Sequence, residues 1–143
     1  MTVDQISVFI ENNLGTLAEV TGILGGAGID MRALSIADTI DFGVLRLIVD
    51  DPKRAHELLR SSGFVASTTP VLAVSIEDVP GGLSKVLRIL ADEKISVEYA
   101  YAFITRKEGN ACVVLRVADN DRAVDVLAKN GVKVSSGSNL FDQ

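Results

Sequence analysis

The chain of 143 residues is 48% hydrophobic and carries a formal net charge of −5 at neutral pH. This length allows one domain or two very small ones, and a domain of about 70 residues buries too little surface to be robust by itself. The acidic balance and the lack of a basic run exclude nucleic acid as a partner, because binding to phosphate backbones needs clustered lysine and arginine.

The sequence shows no sign of export, membrane insertion or disulfide bonding. No apolar run reaches the roughly 20 residues that a helix needs to span a bilayer. The first residues lack the basic and apolar regions of a secretory signal, and Cys112 is the only cysteine. We therefore expect a cytoplasmic protein with no membrane partner and no internal disulfide.

The first half of the chain predicts a strand, a helix, two strands, a second helix and a short strand. Apolar residues alternate over 5–11, as in a half-buried strand, and then recur at helical spacing over 17–27 before Gly28. Asp51 is a favoured N-cap for the second helix, and Pro52 suits its first position. The remaining strands are expected over 29–38, 44–50 and 64–68, with a turn over 39–43 and a helix stop at Gly63.

The second half repeats the first with an offset of 66 positions, so that Gly15 matches Gly81 and Ile29 matches Ile95. The helical stripe of the first half returns over 83–91. The later matches have an offset of 68 positions, because the hairpin of this half, with its predicted turn over 105–109, is two residues longer. These matches are Arg54-Ala55 with Arg122-Ala123, and Gly63 with Gly131. The second helix of this half is expected to begin at Asp119 or Asn120 and to lead into a strand over 132–136.

Two βαββαβ units follow from this pattern. Each is expected to be a ferredoxin-like α+β domain, with an antiparallel sheet and both helices on one face. The predicted domains are residues 1–69 and 70–143. Because hardly any linker separates them, we expect the two copies to pack together as a pseudo-twofold pair, with any site between them sharing that symmetry.

The turn from the first strand to the first helix of each copy is the strongest candidate for a binding site. Glycines here, Gly15 in one copy and Gly81 and Gly82 in the other, let another group approach the backbone closely. The first amides of the following helix lack intrahelical acceptors and favour a carboxylate or phosphate. Asn12, Asn13 and Asp78 add acceptors for an ammonium group, so the turn suits a free α-amino acid. The alternative is a tight turn that only caps a helix.

Two segments of each copy follow a pattern that is known from a protein family. The second copy carries Asp78-Val-Pro-Gly-Gly-Leu83 and Lys94-Ile-Ser-Val-Glu98, and the first carries Asn13-Leu-Gly-Thr-Leu17 and Ala27-Gly-Ile-Asp-Met31. These segments resemble the signature of ACT domains, the small-molecule sensing modules of amino-acid metabolism, except that Leu14 stands where proline is usual. Over nearly its whole length the chain is similar to stand-alone tandem-ACT proteins of bacteria, which carry no catalytic domain and are compared with the regulatory subunit of acetolactate synthase.

The resemblance implies that an amino acid binds where the turn of one copy faces the second strand of another. In the first copy it implies the ligand-binding residues Asn13, Leu14, Gly15, Thr16, Leu17, Asp30 and Met31. In the second copy it implies Val79, Pro80, Gly81, Gly82, Leu83, Ser96 and Val97. Because the two turns differ chemically, we expect unequal affinities.

Both tyrosines of the chain lie in one short segment of the second copy. A period of two residues places Tyr99, Tyr101 and Phe103 on one face of a strand. Two interpretations remain open: the rings line a ligand pocket or a subunit interface, where an apolar ring with a polar tip is useful, or they only pack the sheet. The first-copy counterparts are the smaller residues Ala33, Ser35 and Ala37.

Catalysis finds no support in the sequence. One histidine, His56, and one cysteine cannot supply a usual metal cluster, and there is no nucleophile elbow, phosphate-binding loop or dinucleotide fingerprint. The glycines of Gly22-Ile-Leu-Gly25-Gly26 fall late in a predicted helix, where a phosphate-binding loop cannot form. His56 is expected on a solvated helix face, and Cys112 is expected to be a buried structural thiol. We expect no enzyme activity and no cofactor or metal.

Two functions fit these expectations. In the first, the protein is a non-catalytic homodimeric sensor or regulator that binds a free amino acid between its ACT domains. In the second, it is an accessory regulatory subunit of an amino-acid biosynthetic enzyme, such as acetolactate synthase, and acts through protein–protein contact. The second interpretation depends on apolar side chains that alternate with the core-facing set and are expected to leave apolar surface exposed; these are Val44, Ile48, Cys112 and Val114.

Overall fold

The structure is a computed structural model, and it describes residues 1–38, 41–104 and 109–137. Within that part of the chain the helices are α1 (Thr16–Gly26), α2 (Pro52–Ser61), α3 (Gly82–Asp92) and α4 (Asn120–Lys129). The strands are β1 (Val3–Glu11), β2 (Met31–Asp38), β3 (Phe42–Val49), β4 (Val65–Glu77), β5 (Val97–Ala102), β6 (Asn110–Val117) and β7 (Lys133–Ser135). The predicted turns over 39–43 and 105–109 lie partly outside the described residues.

The chain divides into two compact units, Asp4–Thr69 and Pro70–Gln143, and the second also includes Met1–Val3. The first unit contains β1, α1, β2, β3, α2 and the start of β4, and the second contains the rest of β4, then α3, β5, β6, α4 and β7. Each unit therefore has the βαββαβ order of a ferredoxin-like fold, which confirms the predicted α+β class. The packing of the copies as a pseudo-twofold pair stays a prediction.

In the first unit, both helices cover one face of an antiparallel sheet. Strand β3 lies between β1 and β2, with Ile6 opposite Leu47 and an irregularity in β2 after Met31. The core on the helix side combines alternate residues of β1 and β3 with Val20 and Leu24 of α1 and with Ala55 and Leu59 of α2. The helical stripe of α1 and the core-facing side of β1 are thus confirmed, whereas the prediction that β1 is only half-buried is wrong, because Gln5 and Ser7 on its other side are buried as well.

The second unit repeats this arrangement. Strand β4 pairs with β6 and β7, and β5 pairs with β6, all antiparallel. The core combines alternate strand residues with Val86 and Leu90 of α3 and with Ala123 and Leu127 of α4. The first leucine of each stripe is more exposed than the sequence pattern predicts, since Leu17 is 37% and Leu83 is 36% exposed. Both lie in the first turn of their helix, beside the open strand-to-helix turn.

The prediction of a separate strand over 64–68 is wrong, because β4 continues without interruption to Glu77. Pro70 lies inside this strand of 13 residues. Proline fits an extended backbone and removes only one donor from the ladder of hydrogen bonds, so it weakens a strand without ending it.

The prediction of exposed apolar side chains on the second sheet face is wrong for Ile48 and Val114. Ile48 and Val114 are fully buried, and Val44 and Cys112 are half-buried. A period of two identifies the face on which a side chain lies, but it does not reveal whether that face is covered.

Helix ends follow the predicted signals. The Asp51 carboxylate accepts a hydrogen bond from the Arg54 amide at 3.2 Å, and the Asp119 carboxylate accepts one from the Arg122 amide at 3.1 Å. Asp119 is therefore the N-cap of α4, and Asn120 is its first helical residue. A left-handed glycine follows three of the helices, with φ of 73° at Gly28, 92° at Gly63 and 74° at Gly131.

The fourth such position, after α3, is occupied by Lys94 at φ 59°. This is the counterpart of Gly28, and among the described residues no other side-chain-bearing residue has a positive φ. The left-handed conformation brings Cβ close to the backbone and costs about 1 kcal/mol for a residue other than glycine.

We expect Lys94→Gly to raise the free energy of unfolding by about 1 kcal/mol, because it relieves this strain. The Lys94 amide donates to the Ala91 carbonyl at 2.9 Å, and the substitution keeps that hydrogen bond. Urea denaturation measures the change, and Gly28→Ala is the matched control that should lower the stability of the first copy. An unchanged or lower midpoint in Lys94→Gly would contradict the prediction.

Candidate functional site

The candidate turn of the first copy is a type II β-turn between β1 and α1. Gly15 stands at its third position with φ 84° and ψ −5°, and the Thr16 amide donates to the Asn13 carbonyl at 3.3 Å. This position needs a positive φ, which glycine adopts without strain. Leu14, at the second position, projects fully into solvent.

The turn of the second copy, between β4 and α3, has the same backbone conformation at its glycine. Gly81 has φ 84° and ψ −4°, and the Gly82 amide donates to the Val79 carbonyl at 3.0 Å. Pro80 occupies the second position, where its fixed φ favours a type II turn. Proline and leucine therefore serve the same turn geometry in the two copies.

The expectation of free amides at the helix start is met in part. The first amide of each helix closes the turn and is not available to a ligand. The N-cap residues are Gly15 and Gly81, and no cap side chain accepts from the amides that follow. Those amides and the positive end of the helix dipole favour an anionic oxygen. The turn can thus hold a carboxylate, through fewer donors than the sequence suggested.

The two turns differ in what they present to a ligand. A side chain at Gly82 would collide with the Glu77 carbonyl, so the second turn must stay bare. The residue of the first copy that corresponds to Gly82 is Thr16. In that copy the Glu11 carbonyl, which corresponds to the Glu77 carbonyl, accepts a hydrogen bond from the Asn13 amide at 2.8 Å. The Asn13 side-chain amide also donates to the Glu11 carboxylate at 2.9 Å. The first turn is therefore polar, whereas the second consists of backbone and apolar side chains.

Within one unit, the turn and the other predicted ligand residues do not come together. Asp30 and Met31 follow the end of α1, and this helix of 11 residues is about 16 Å long. Ser96 and Val97 are separated from the second turn by α3, which has the same length. One unit alone therefore cannot place a turn and the start of its own second strand around one small ligand.

Asp30 is held in place by neighbouring charged groups. Its amide donates to the Asp50 carboxylate at 3.0 Å, and its own carboxylate lies 3.2 Å from Nε of Arg32. The Asp50 amide donates back to the Asp30 carbonyl at 3.1 Å. The start of β2 thus has a defined backbone path and an exposed carboxylate that is already paired.

Tyr99 and Tyr101 lie on one face of β5, as predicted. Their ring centroids are 6.4 Å apart with an angle of 23° between the planes, and both side chains are half-buried. Tyr99 lies opposite Arg116 of β6, which forms an ion pair with Glu98 at 3.3 Å. Sequence reasoning missed Arg116, although a charged residue inside the apolar run of β6 is a visible signal. Whether the tyrosines contact a ligand stays a prediction.

The remaining candidates have structural surroundings. The prediction of a solvated His56 is wrong, because its Nε2 lies 3.1 Å from the Ala66 carbonyl and the ring is half-buried. Burial raises the pKa of the Cys112 thiol to about 11. The described residues contain no group of histidine, cysteine and carboxylate side chains that could hold a metal ion. No helix in the described ranges is long and apolar enough to cross a membrane.

Comparisons with known proteins agree with this architecture. Residues 1–142 match the family model described as an ACT domain pair. Protein BT0572 from Bacteroides thetaiotaomicron is similar in structure, with 38% identity and a TM-score of 0.92 over 100% of this chain and 98% of that one. The ligand-free regulatory subunit of aspartate kinase from Thermus thermophilus has 20% identity and a TM-score of 0.67 over 88% of this chain and 91% of that one, which is a likeness of fold alone. Among curated proteins, none is significantly similar in sequence.

We expect Cys112 to react slowly with iodoacetamide in the folded protein. Its pKa of about 11, against 9.0 for an unperturbed thiol, lowers the thiolate fraction at pH 8 by about a hundredfold. The alkylation rate, followed by mass spectrometry, should rise with pH up to about pH 11, and the urea-unfolded chain is the control. Equal rates in the folded and unfolded protein at pH 8 would contradict the inferred burial.

Proposed function

Because the chain belongs to the ACT domain pair family, whose modules are regulatory, we propose that it is a non-catalytic cytoplasmic protein that senses a free amino acid. The observation that carries the proposal is the duplicated type II turn, in which a left-handed glycine begins a helix without a capping side chain. Because the positive φ at this position favours glycine, no side chain of the cap residue accepts from the amides that follow. At α2 and α4, by contrast, the side chain of an aspartate cap accepts from one of those amides.

In this proposal the ligand carboxylate lies at the start of a helix. The second and third amides of the helix donate to it, and the helix dipole adds a favourable charge. The ligand ammonium group then needs acceptors at a separate place. Asp30, just before β2, offers an exposed carboxylate, which the ammonium group would share with Arg32.

We propose further that the ligand lies between ACT domains. A turn and the start of the second strand are separated by the length of a helix within each unit. A ligand small enough to be an amino acid can therefore contact both only if they come from different domains, in one chain or in a homodimer.

The two copies are proposed to bind unequally. The first turn offers the Thr16 hydroxyl and Asn13, whereas the second is bare backbone beside Val79 and Pro80. The pair of stacked tyrosines occurs only in the second copy, so we assign selectivity for the ligand side chain to Tyr99 and Tyr101. Binding should then follow one class of site, or two classes of different affinity.

A second candidate function is an accessory subunit of an amino-acid biosynthetic enzyme. The buried Ile48 and Val114 remove the surface on which sequence reasoning based it. The same sheet face of the first unit still exposes two aromatic rings that favour it, because Phe9 is 55% and Phe42 is 61% exposed. They lie diagonally across the β1–β3 pair on the same face, since Phe9 is opposite Val44 and Phe42 is opposite Glu11. Paired exposed aromatic rings are typical of protein contact sites.

Calorimetry against the twenty amino acids and their common precursors tests the sensor function. We expect at least one amino acid to bind with a Kd below about 1 mM, with unequal or single-class saturation. Gly15→Asn and Gly81→Asn should each reduce the ligand-induced rise in melting temperature, because the added side chain would occupy the space of the ligand carboxylate. The fold itself has room for it, since no atom lies within 4 Å of the position that a Cβ would take. Asparagine tolerates a positive φ, so the melting temperature without ligand should change little.

Gly63→Asn is the matched control, because Gly63 also has a positive φ and open surroundings but follows α2. It should leave binding unchanged. Full binding in both turn variants would exclude the turns as the site. A folded protein that binds none of the panel would overturn the sensor function itself.

Affinity capture from native lysate tests the accessory-subunit function. We expect a biosynthetic enzyme to be recovered with the tagged protein, and Phe9→Ser with Phe42→Ser to abolish its recovery. Ile36→Ser is the control, since Ile36 is 42% exposed and pairs with Leu45, on the other face of the sheet from the two phenylalanines. Recovery that is equal in the aromatic variant and the control would count against this surface.

A further inference from the structure

The end of helix α4 carries a chemically reactive pair of residues. Of the asparagines in the chain, only Asn130 is followed by a glycine, Gly131. In such a pair the backbone nitrogen of the glycine can reach the side-chain amide carbon of the asparagine, because glycine has no Cβ to hinder the approach. Both residues are exposed, so water has access to them.

The backbone around this pair forms a Schellman motif, an arrangement of hydrogen bonds that commonly ends a helix. The Gly131 amide donates to the Ala128 carbonyl at 3.1 Å, and the Val132 amide donates to the Leu127 carbonyl at 2.9 Å. Gly131 has the left-handed conformation that the motif requires, with φ 74°. The nitrogen that would attack the asparagine is therefore held in a hydrogen bond while the end of α4 is intact.

The side chain of Asn130 is held as well. Its Nδ2 donates to the Val126 carbonyl at 2.8 Å, so the side-chain amide is turned towards the preceding turn of α4, whereas Gly131 lies beyond the helix end. Two hydrogen bonds must therefore open before the glycine nitrogen can meet the amide carbon. Helix ends open locally at a lower free energy than the core of a fold, so the pair can react without global unfolding.

The first copy has the same helix end without the reactive pair. Its counterparts, 68 positions earlier, are Ser62 and Gly63. The Ser62 hydroxyl donates to the Leu58 carbonyl at 2.8 Å, which is the equivalent of the contact between Asn130 and Val126. The backbone hydrogen bonds of the two helix ends correspond too. Serine thus supplies the donor that this helix end uses, and it has no side-chain amide to lose.

We propose that Asn130 is a site of spontaneous deamidation that the end of α4 controls. When the two hydrogen bonds open, the Gly131 nitrogen loses its proton and bonds to Cγ of Asn130. The bond from Cγ to Nδ2 then breaks, and the side-chain nitrogen leaves as ammonia. Water opens the resulting succinimide ring at either of its two carbonyl carbons, which gives aspartate or isoaspartate. The reaction consumes water and changes no oxidation state.

Neither product restores the helix end. A carboxylate has no hydrogen to donate to the Val126 carbonyl, and it places a negative charge at the negative end of the helix dipole. Isoaspartate also adds one carbon atom to the backbone between α4 and β7. Val132 and Val134, which follow directly, pack in the core of the second unit. Deamidation should therefore loosen the second unit and leave the first intact, whether or not the protein binds an amino acid.

Peptide mapping by mass spectrometry tests the site. The full chain is kept at mildly alkaline pH, either folded or unfolded in guanidinium chloride. In the folded chain we expect Asn130 to be converted before any other asparagine, and at least about tenfold more slowly than in the unfolded chain, because two hydrogen bonds must open first. Asn130→Ser copies the cap of the first copy, so it should abolish the modification and keep the melting temperature. Asn130→Asp, which creates one of the products, should lower the melting temperature.

A matched pair of variants tests the control by the helix end. Ala128→Gly weakens the last turn of α4 at an exposed position and keeps the reactive pair. It should raise the deamidation rate of the folded chain several-fold and leave that of the unfolded chain unchanged. Arg60→Gly makes the same change at the corresponding exposed position of α2 and should leave the rate at Asn130 unchanged.

Four outcomes would overturn the proposal. They are an intact Asn130 in the folded parent chain, earlier deamidation of another asparagine, equal rates in the folded and unfolded chains, and no acceleration in Ala128→Gly. Acceleration in Arg60→Gly as large as in Ala128→Gly would also overturn it, because the rate would then follow the stability of the whole chain and not the end of α4.

Discussion

The left-handed glycine at the strand-to-helix turn is the constraint on which each unit depends. Because Gly15 and Gly81 both have φ 84°, the chain reverses within four residues and the next helix returns over the sheet it has just left. Only this reversal brings Val20 or Val86 onto the helix-side core. The same geometry leaves helix-start amides without a capping side chain, so packing and binding capacity come from a single backbone feature.

Much of the fold could be predicted because it rests on local signals. Alternation identified the strands, Asp51 and Asp119 marked helix starts, and Gly28, Gly63 and Gly131 marked helix ends. What failed was non-local: a proline inside a continuous β4, the burial of Ile48 and Val114, and the contact of His56 with a carbonyl. Periodicity records which face a residue lies on, whereas coverage of that face depends on chain segments far away in sequence.

The candidate site was predictable in part for the same reason. The turn residues are contiguous, so their motif could be read directly, and the type II geometry explains why proline and glycine suit it. The collision that keeps Gly82 bare involves the Glu77 carbonyl, and the neighbour of Tyr99 is Arg116 on another strand. Neither contact follows from spacing along the chain. The proposed contact of Asp30 with a ligand would need a second domain, which no single unit provides.

Glycines in this chain have two different physical causes, and a third group shows neither of them. Gly15 is needed for its positive φ, and Gly82 for the close approach of a carbonyl. Gly22 satisfies neither condition, yet it lies in a helix, where glycine weakens the fold. Among the residues that the structure describes, no atom comes within 4 Å of the position that a Cβ of Gly22 would take, so the packing of its own unit does not offset the cost of this glycine.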